Sequence, residues 1–443
     1  MGRFSLFFGA MLAGLSSVGC SHAPKSYIAD GRSCDLNPLR LEVPLPDETP
    51  KTLTELAAID SYAARSAYAI STQQAPMLFL SGGSQHGAFG GGYLDEWANI
   101  KGGLPDFSVV TGISVGALQS TGAFINQPDL IRGAAQIESE SELLETYVEG
   151  SAVRDGLSLG AIRTLLTEGA ISDLVPLRQK LRDILTEEVL ISVAEGGDLG
   201  RKLFVGATDV DTGQAVAFDM TELAKRYRNR PDDQAHLKSC YIEALVASAI
   251  VPIAAKPVFI DNNMYVDGGV RFSVFAEDVE GITELVKSNG NVWPRDKDTN
   301  EPLSIHIVVN GKGTSSQRCG RVNPDDCTGP HKDWSLIGLA ARSVDLLTNQ
   351  VARLSIDRAA NLKRDGDVRI DFTRINEAEK DQHELAKSKL PISLQHVDDP
   401  DIADCASWEE IDRQRDNPVE FHPRYMHCLI SYGRSVARKK FTP

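Results

Sequence analysis

The chain is short of positive charge: 46 Lys and Arg stand against 61 Asp and Glu, a formal net charge of −15. No basic block of useful length occurs, which excludes a surface for phosphate backbones, because nucleic acid is held by clustered Lys and Arg. The densest basic cluster, Arg434, Arg438, Lys439 and Lys440, reads as a solvated tail. A CxxC pair and a Cys/His cluster with ligand spacing are also missing, so a structural zinc site is not expected. No fixed-period repeat or long low-complexity tract appears, and aromatic residues make up only 7%. What remains is an ordinary globular balance, 42% hydrophobic over 443 residues, enough to bury one large core in a main domain with appendages.

The first residues carry a single early Arg3, an apolar run from Phe4 to Leu15 and small residues before Cys20. Such a run is too short to span a membrane comfortably and reads as a signal peptide over residues 1–19. The Gly19-Cys20 junction resembles a bacterial lipobox, with Ser17 where an aliphatic residue is usual, and makes Cys20 the expected lipidated first residue of an exported, envelope-anchored protein. The other six cysteines, Cys34, Cys240, Cys319, Cys327, Cys405 and Cys428, form an even set that an oxidising compartment would pair. Six cysteines permit 15 connectivities. Close spacing favours Cys319 with Cys327, and next Cys405 with Cys428.

Residues 20–50 hold five prolines among mostly polar residues and are expected to be an extended tether. Over 51–76 an accessory helix is expected, since Leu53, Leu56, Ala57, Ala63, Ala64 and Ala67 recur near helical spacing behind a possible capping box of Thr52 and Glu55. From residue 77, short apolar runs at 77–81, 107–111, 202–208, 215–218, 256–260 and 304–309 alternate with helical stretches. That alternation predicts an α/β layered fold with a largely parallel sheet flanked by helices, over 77–375. Beyond 375 the chain is charged, yet Trp408 and the apolar segment around Cys428 predict an extension, 376–443, packed back on the domain.

Gly112-Ile113-Ser114-Val115-Gly116 matches GxSxG, the turn that lifts a serine out of the backbone. Composition alone yields roughly 0.2 chance matches in a chain of this length, and a second match surrounds Ser158. Context separates them: Ser114 follows an apolar strand and precedes a small, apolar helix, whereas Ser158 follows no strand and suits a helix N-cap. About thirty residues earlier, Gly82, Gly83 and Ser84 lie between a strand and a helix, where backbone N–H groups can converge on an anion. The spacing is neither GxGxxG nor Walker A, which argues against a nucleotide site. The third element is Asp267, in Val266-Asp267-Gly268-Gly269, which read alone would be a turn.

Together the Gly-rich loop, GxSxG and DGG resemble the patatin-like phospholipase family. The resemblance implies a patatin-like layered fold and hydrolysis of acyl esters of membrane lipids by a Ser-Asp dyad, Ser114 with Asp267. It also implies an oxyanion hole at Gly82, Gly83 and Ser84, and neither metal nor cofactor. Two departures stand out: Ser84 replaces a usual glycine, and His86 replaces a usual Arg or Lys, so no permanent cation is offered to a phosphate. The expected partner is a membrane lipid at a membrane surface, approached through apolar contact since the protein is acidic. Two alternatives stay open: an α/β-hydrolase esterase with a Ser-Asp-His triad using His306 or His331, and an inactive lipid-binding surface lipoprotein. Asp209 and Asp211 suggest calcium, but the other ligands of an EF-hand loop are missing and a hairpin turn at Asp211-Thr212-Gly213 is expected.

Overall fold

The computed structural model describes residues 31–43, 61–147, 170–275, 279–288, 293–296, 300–311, 336–362, 368–416 and 418–442, with a few positions between 52 and 59. The leader with Cys20, Ser158, Cys319, Cys327 and His331 lie outside the described residues.

A nine-stranded mixed sheet forms the centre. Its strands are β1 (Arg40–Glu42), β2 (Met77–Leu80), β3 (Val109–Ile113), β4 (Lys202–Asp209), β5 (Ala215–Asp219), β6 (Val258–Ile260), β7 (Asn263–Asp267), β8 (Ser304–Val309) and β9 (Arg369–Arg374). β4, β3, β2, β8 and β9 run parallel in that order. Antiparallel β5 and then β1 extend the β4 edge. Parallel strands buried on both faces need apolar residues of both parities. Leu78 and Leu80 of β2 accordingly enter one core and Met77 and Phe79 the other. The patatin-like reading of the fold, a mostly parallel sheet between helices, therefore holds.

On the first face lie α2 (Gly87–Lys101), α3 (Val115–Phe124), α4 (Pro128–Ala135), α5 (Val175–Ile184), α6 (Glu187–Asp198), α7 (Met220–Asn229) and α8 (Gln234–Ala249). The second face carries α1 (Tyr62–Gln73) and α9 (Val279–Ser288). Thr52 and Glu55 do exchange the reciprocal hydrogen bonds of a capping box, at 3.0 and 3.1 Å. The helix packed on the sheet nevertheless starts at Tyr62, because the Ser61 hydroxyl accepts the Ala64 N–H and caps it there.

The stretch expected to be a tether is partly built into the domain. β1 joins the sheet, Asp261 accepts the backbone N–H groups of Cys34, Asp35 and Leu36, and Cys34 is disulfide-bonded to Cys240. That long-range disulfide was not among the pairs favoured by spacing, which carries no information about contacts 206 residues apart. Cys405 with Cys428 does form.

The extension packs on α2 through α11 (Pro423–Phe441), against which α10 (Cys405–Arg415) lies. α11 crosses α2 so closely that a Cβ on Gly433 would sit 2.1 Å from the Phe89 carbonyl oxygen. Trp408, Tyr425 and Leu429 thereby enter the same core as α2. Among the described residues no helix is long and apolar enough to cross a membrane.

Candidate active site

Ser114 stands where β3 ends and α3 begins, with φ 56° and ψ −126°. This conformation is costly for a residue with a Cβ and lifts the hydroxyl clear of the sheet. The flanking glycines are demanded by contact: a Cβ on Gly112 would lie 2.4 Å from the Gly116 oxygen, and one on Gly116 would lie 2.5 Å from the Leu80 oxygen. Ser248, at the end of α8, braces the turn. Its hydroxyl accepts the Ser114 N–H at 2.9 Å and donates to the Gly206 carbonyl of β4. Nothing in the sequence around Ser248 marked it, since its role exists only when α8 reaches β3 and β4.

Asp267 reaches the same point by strand geometry. β4 has eight residues, and β3 pairs with it only as far as Ile113 opposite Gly206. β7 takes up the vacated edge from Ala207 onward, running antiparallel, so that its last residue, Asp267, pairs with Ala207. The end of β7 thus meets the end of β3, and the Asp267 carboxylate receives the Ser114 hydroxyl. Its Oδ1 also accepts the Gly269 N–H at 2.6 Å. Burial pushes the carboxyl up to about 7; the bonds from Ser114 and Gly269 pull against this, while the charge of Glu420 adds to it.

The Gly-rich loop follows β2. Asn310, at the end of β8, fixes it: the Asn310 amide groups bond Ser81 at 2.8 and 2.9 Å. Gly82 packs closely on Ser114, where a Cβ would come within 3.2 Å of the serine Cβ. Its N–H donates to the Ser273 carbonyl at 3.0 Å, so this amide is already engaged and is not aimed at a substrate. Gly83 and Ser84 are the loop positions next to it, and Ser84 lines the cleft. His86 turns back onto the loop, its Nδ1 2.9 Å from the Gly83 oxygen.

A strap of residues 418–422, leading into α11, closes the other side. Glu140 accepts the N–H groups of Val419, Glu420 and Phe421 at 3.1, 2.9 and 3.0 Å, and Gln85 accepts from the His422 backbone at 3.0 Å. The Ser84 hydroxyl donates to Glu420. Sequence reading placed none of Glu140, Gln85 and Glu420 at the site, because they converge from segments more than 270 residues apart.

Between these elements opens a cleft, with Ser114 and Ser84 at one end and apolar walls from α3, α5 and the strap, including Leu118, Leu177 and Phe421. Its apolar lining suits an acyl chain. His306 is elsewhere: its ring packs between Trp97 and Phe107 with Nδ1 3.4 Å from Asp371. Burial holds its pKa below the ordinary imidazole value against the pull of Asp371. Asp209 accepts the N–H groups of Asp211 and Thr212 and pairs with Arg40, and Asp211 accepts the Met264 N–H, which makes them hairpin residues. The Cys34, His236 and Cys240 group has ligand-like proximity among the described residues, but its two sulfurs are bonded to each other.

A serine on a strained strand-to-helix turn, a buried carboxylate against its hydroxyl and an apolar cleft beside both define an α/β protein with a nucleophile-elbow site. Residues 78–279 match the family model described as Patatin-like phospholipase. The matched span runs from β2 past β7 and so contains Gly82, Ser114 and Asp267. No curated protein matches the chain.

Proposed function

We propose that the protein hydrolyses acyl esters of membrane lipids through a Ser114–Asp267 dyad and an acyl-enzyme. The observation that carries this reading is the Ser114 hydroxyl set against a carboxylate whose pKa burial raises to about 7. An ordinary carboxylate is too weak a base to take a serine proton, and raising its pKa towards neutrality brings it into range. Asp267 takes the Ser114 proton as Oγ attacks the ester carbonyl. The N–H groups of Gly83 and Ser84, with the N-terminal end of α3, stabilise the oxyanion. Collapse expels the alcohol, which takes the proton from Asp267, and water then enters by the same route and releases the acid.

Labelling with a fluorophosphonate, together with fatty acid release from phospholipid vesicles, tests the reading. Ser114→Ala is expected to abolish both, while Ser158→Ala keeps them. Retained labelling in Ser114→Ala would place the nucleophile elsewhere and overturn the assignment, and an unmodified protein that neither labels nor releases fatty acid would leave a lipid-binding role.

Export and anchoring at Cys20 belong to the same proposal, supported by the leader and by two disulfides in the described residues, which persist in oxidising compartments. Intact mass of the mature N-terminus checks it: an acylated Cys20 is expected, and an unmodified one rejects anchoring.

A further inference from the structure

Ser114 and Asp267 stand on different strands, and a dyad has no third side chain to orient its base. A proton passes between such groups only across about 2.6 to 3.2 Å, so the separation of the two residues must be fixed through their backbones. Three hydrogen bonds to their peptide groups do this. Two come from the C-terminal end of α8, where the Ser248 hydroxyl accepts the Ser114 N–H at 2.9 Å and the Ile250 carbonyl accepts the Asp267 N–H at 2.7 Å. The third comes from β4, where the Thr208 hydroxyl donates to the Asp267 carbonyl at 3.1 Å. The Ser248 hydroxyl in turn donates to Gly206, the last β4 residue opposite β3, and Ala207 is the first opposite β7. The two hydroxyls therefore act on either side of the point where β3 gives way to β7 along β4. Both residues are buried, at 0% and 5% exposed, and neither lines the cleft, so their route to the reaction runs through the dyad.

We propose that Ser248 and Thr208 are positioning residues of the reaction, which set the distance over which the proton passes by tying the backbones of Ser114 and Asp267 to β4. This rests on the hydrolase reading. Without Ser248 the Ser114 N–H and the Gly206 carbonyl lose their partner, and a serine at φ 56° keeps that conformation only while its surroundings over-determine it. Without the Thr208 hydroxyl the Asp267 carbonyl is released. A displacement of about 1 Å can cost on the order of a hundredfold in rate.

Fluorophosphonate labelling run to completion counts competent sites, and kcat and KM on a p-nitrophenyl ester are then expressed per labelled site. Ser248→Ala and Thr208→Val are each expected to lose at least about tenfold in kcat with KM changed by less than about twofold, and Thr208→Ser, which keeps the hydroxyl, is expected to keep most of kcat. The pH profile separates positioning from loss of structure. Burial raises the Asp267 pKa and the Ser114 hydroxyl lowers it, so a looser bond between them moves the acid limb of kcat/KM to higher pH. A smaller folded fraction leaves that limb in place. Full kcat per labelled site in either variant, a loss that Thr208→Ser shares, or an acid limb that stays in place overturns the inference. Should a variant fail to fold, Ser248→Cys or Thr208→Cys replaces it under the same criteria, since a thiol fills the space but is a weak donor and acceptor. An unmodified protein that neither labels nor turns over overturns the hydrolase reading itself, whereas an active one whose variants match it overturns the positioning role alone.

Discussion

Asp267 carries its charge where its surroundings oppose it, and the cost should be measurable in two ways. With a pKa near 7 in the folded protein, the proposed base is protonated in acid, so kcat/KM should rise about tenfold per pH unit up to about 7 and then level. Asp267→Asn should lower the rate on a short-chain ester by on the order of a thousandfold, while His306→Ala changes it little. Stability runs the other way. The folded pKa lies above the unfolded value of 3.8, so the folded state holds the proton more tightly, and the associated stabilisation is fully present below about pH 4. It is lost as pH rises towards 7, by roughly 4 kcal/mol for a shift of about three units. Thermal unfolding should therefore show Asp267→Asn gaining on the unmodified protein between pH 4 and pH 8. A gap that does not change with pH would mean the carboxyl is not shifted.

At the scale of elements, the strap is held to the site by few groups. Removing the Glu140 carboxylate strips the acceptor from three strap N–H groups at once, and re-satisfying or desolvating them costs about 1 to 3 kcal/mol. Because Phe421 and Met426 wall the cleft, Glu140→Ala should reduce kcat/KM on a dodecanoyl ester about tenfold more than on an acetyl ester. Equal losses on both would show that the strap does not shape the acyl site. α11 has its own anchor: Arg424, 1% exposed, pairs with Asp412, Asp399 and Asp416. Burial still pushes Asp412 up to about 6, against the pull of Arg424. Arg424→Ala leaves that carboxylate without its cation, and a loss of about 3 to 5 kcal/mol is expected in denaturant unfolding. No loss would mean the pair is dispensable.

For the whole molecule, the two observed disulfides close loops of very different length, with sequence separations of 206 and 23. Loop-closure entropy ranks them at about 5 and 3.5 kcal/mol. Cys34→Ser with Cys240→Ser should therefore lower Tm more than Cys405→Ser with Cys428→Ser, and the first pair should also release the N-terminal segment to proteolysis. The opposite ranking would place the gain in local packing around α10 and α11 and leave chain entropy secondary.

The sequence by itself determined most of the central strands and the position of the strand-turn-helix serine. Period-2 and continuous apolar runs mark β2, β3, β4 and β8, and strand-turn-helix context singles out Ser114 over Ser158, because both signals are local along the chain. It also read the Asp211 hairpin, whose turn is made by neighbouring residues. Tertiary structure decided the rest. Asp267 meets Ser114 because β7 replaces β3 along β4, a matter of strand lengths and pairing that no motif encodes. Residues 40–42 became a strand although prolines surround them, since an open sheet edge was there to pair with. Gly82 gave its N–H to Ser273, and Ser248, Glu140 and Glu420 arrived from distant segments. These contacts depend on which elements pack together, so their physical cause lies in the sheet order and the docking of α8 and α11, not in any stretch of residues read along the chain.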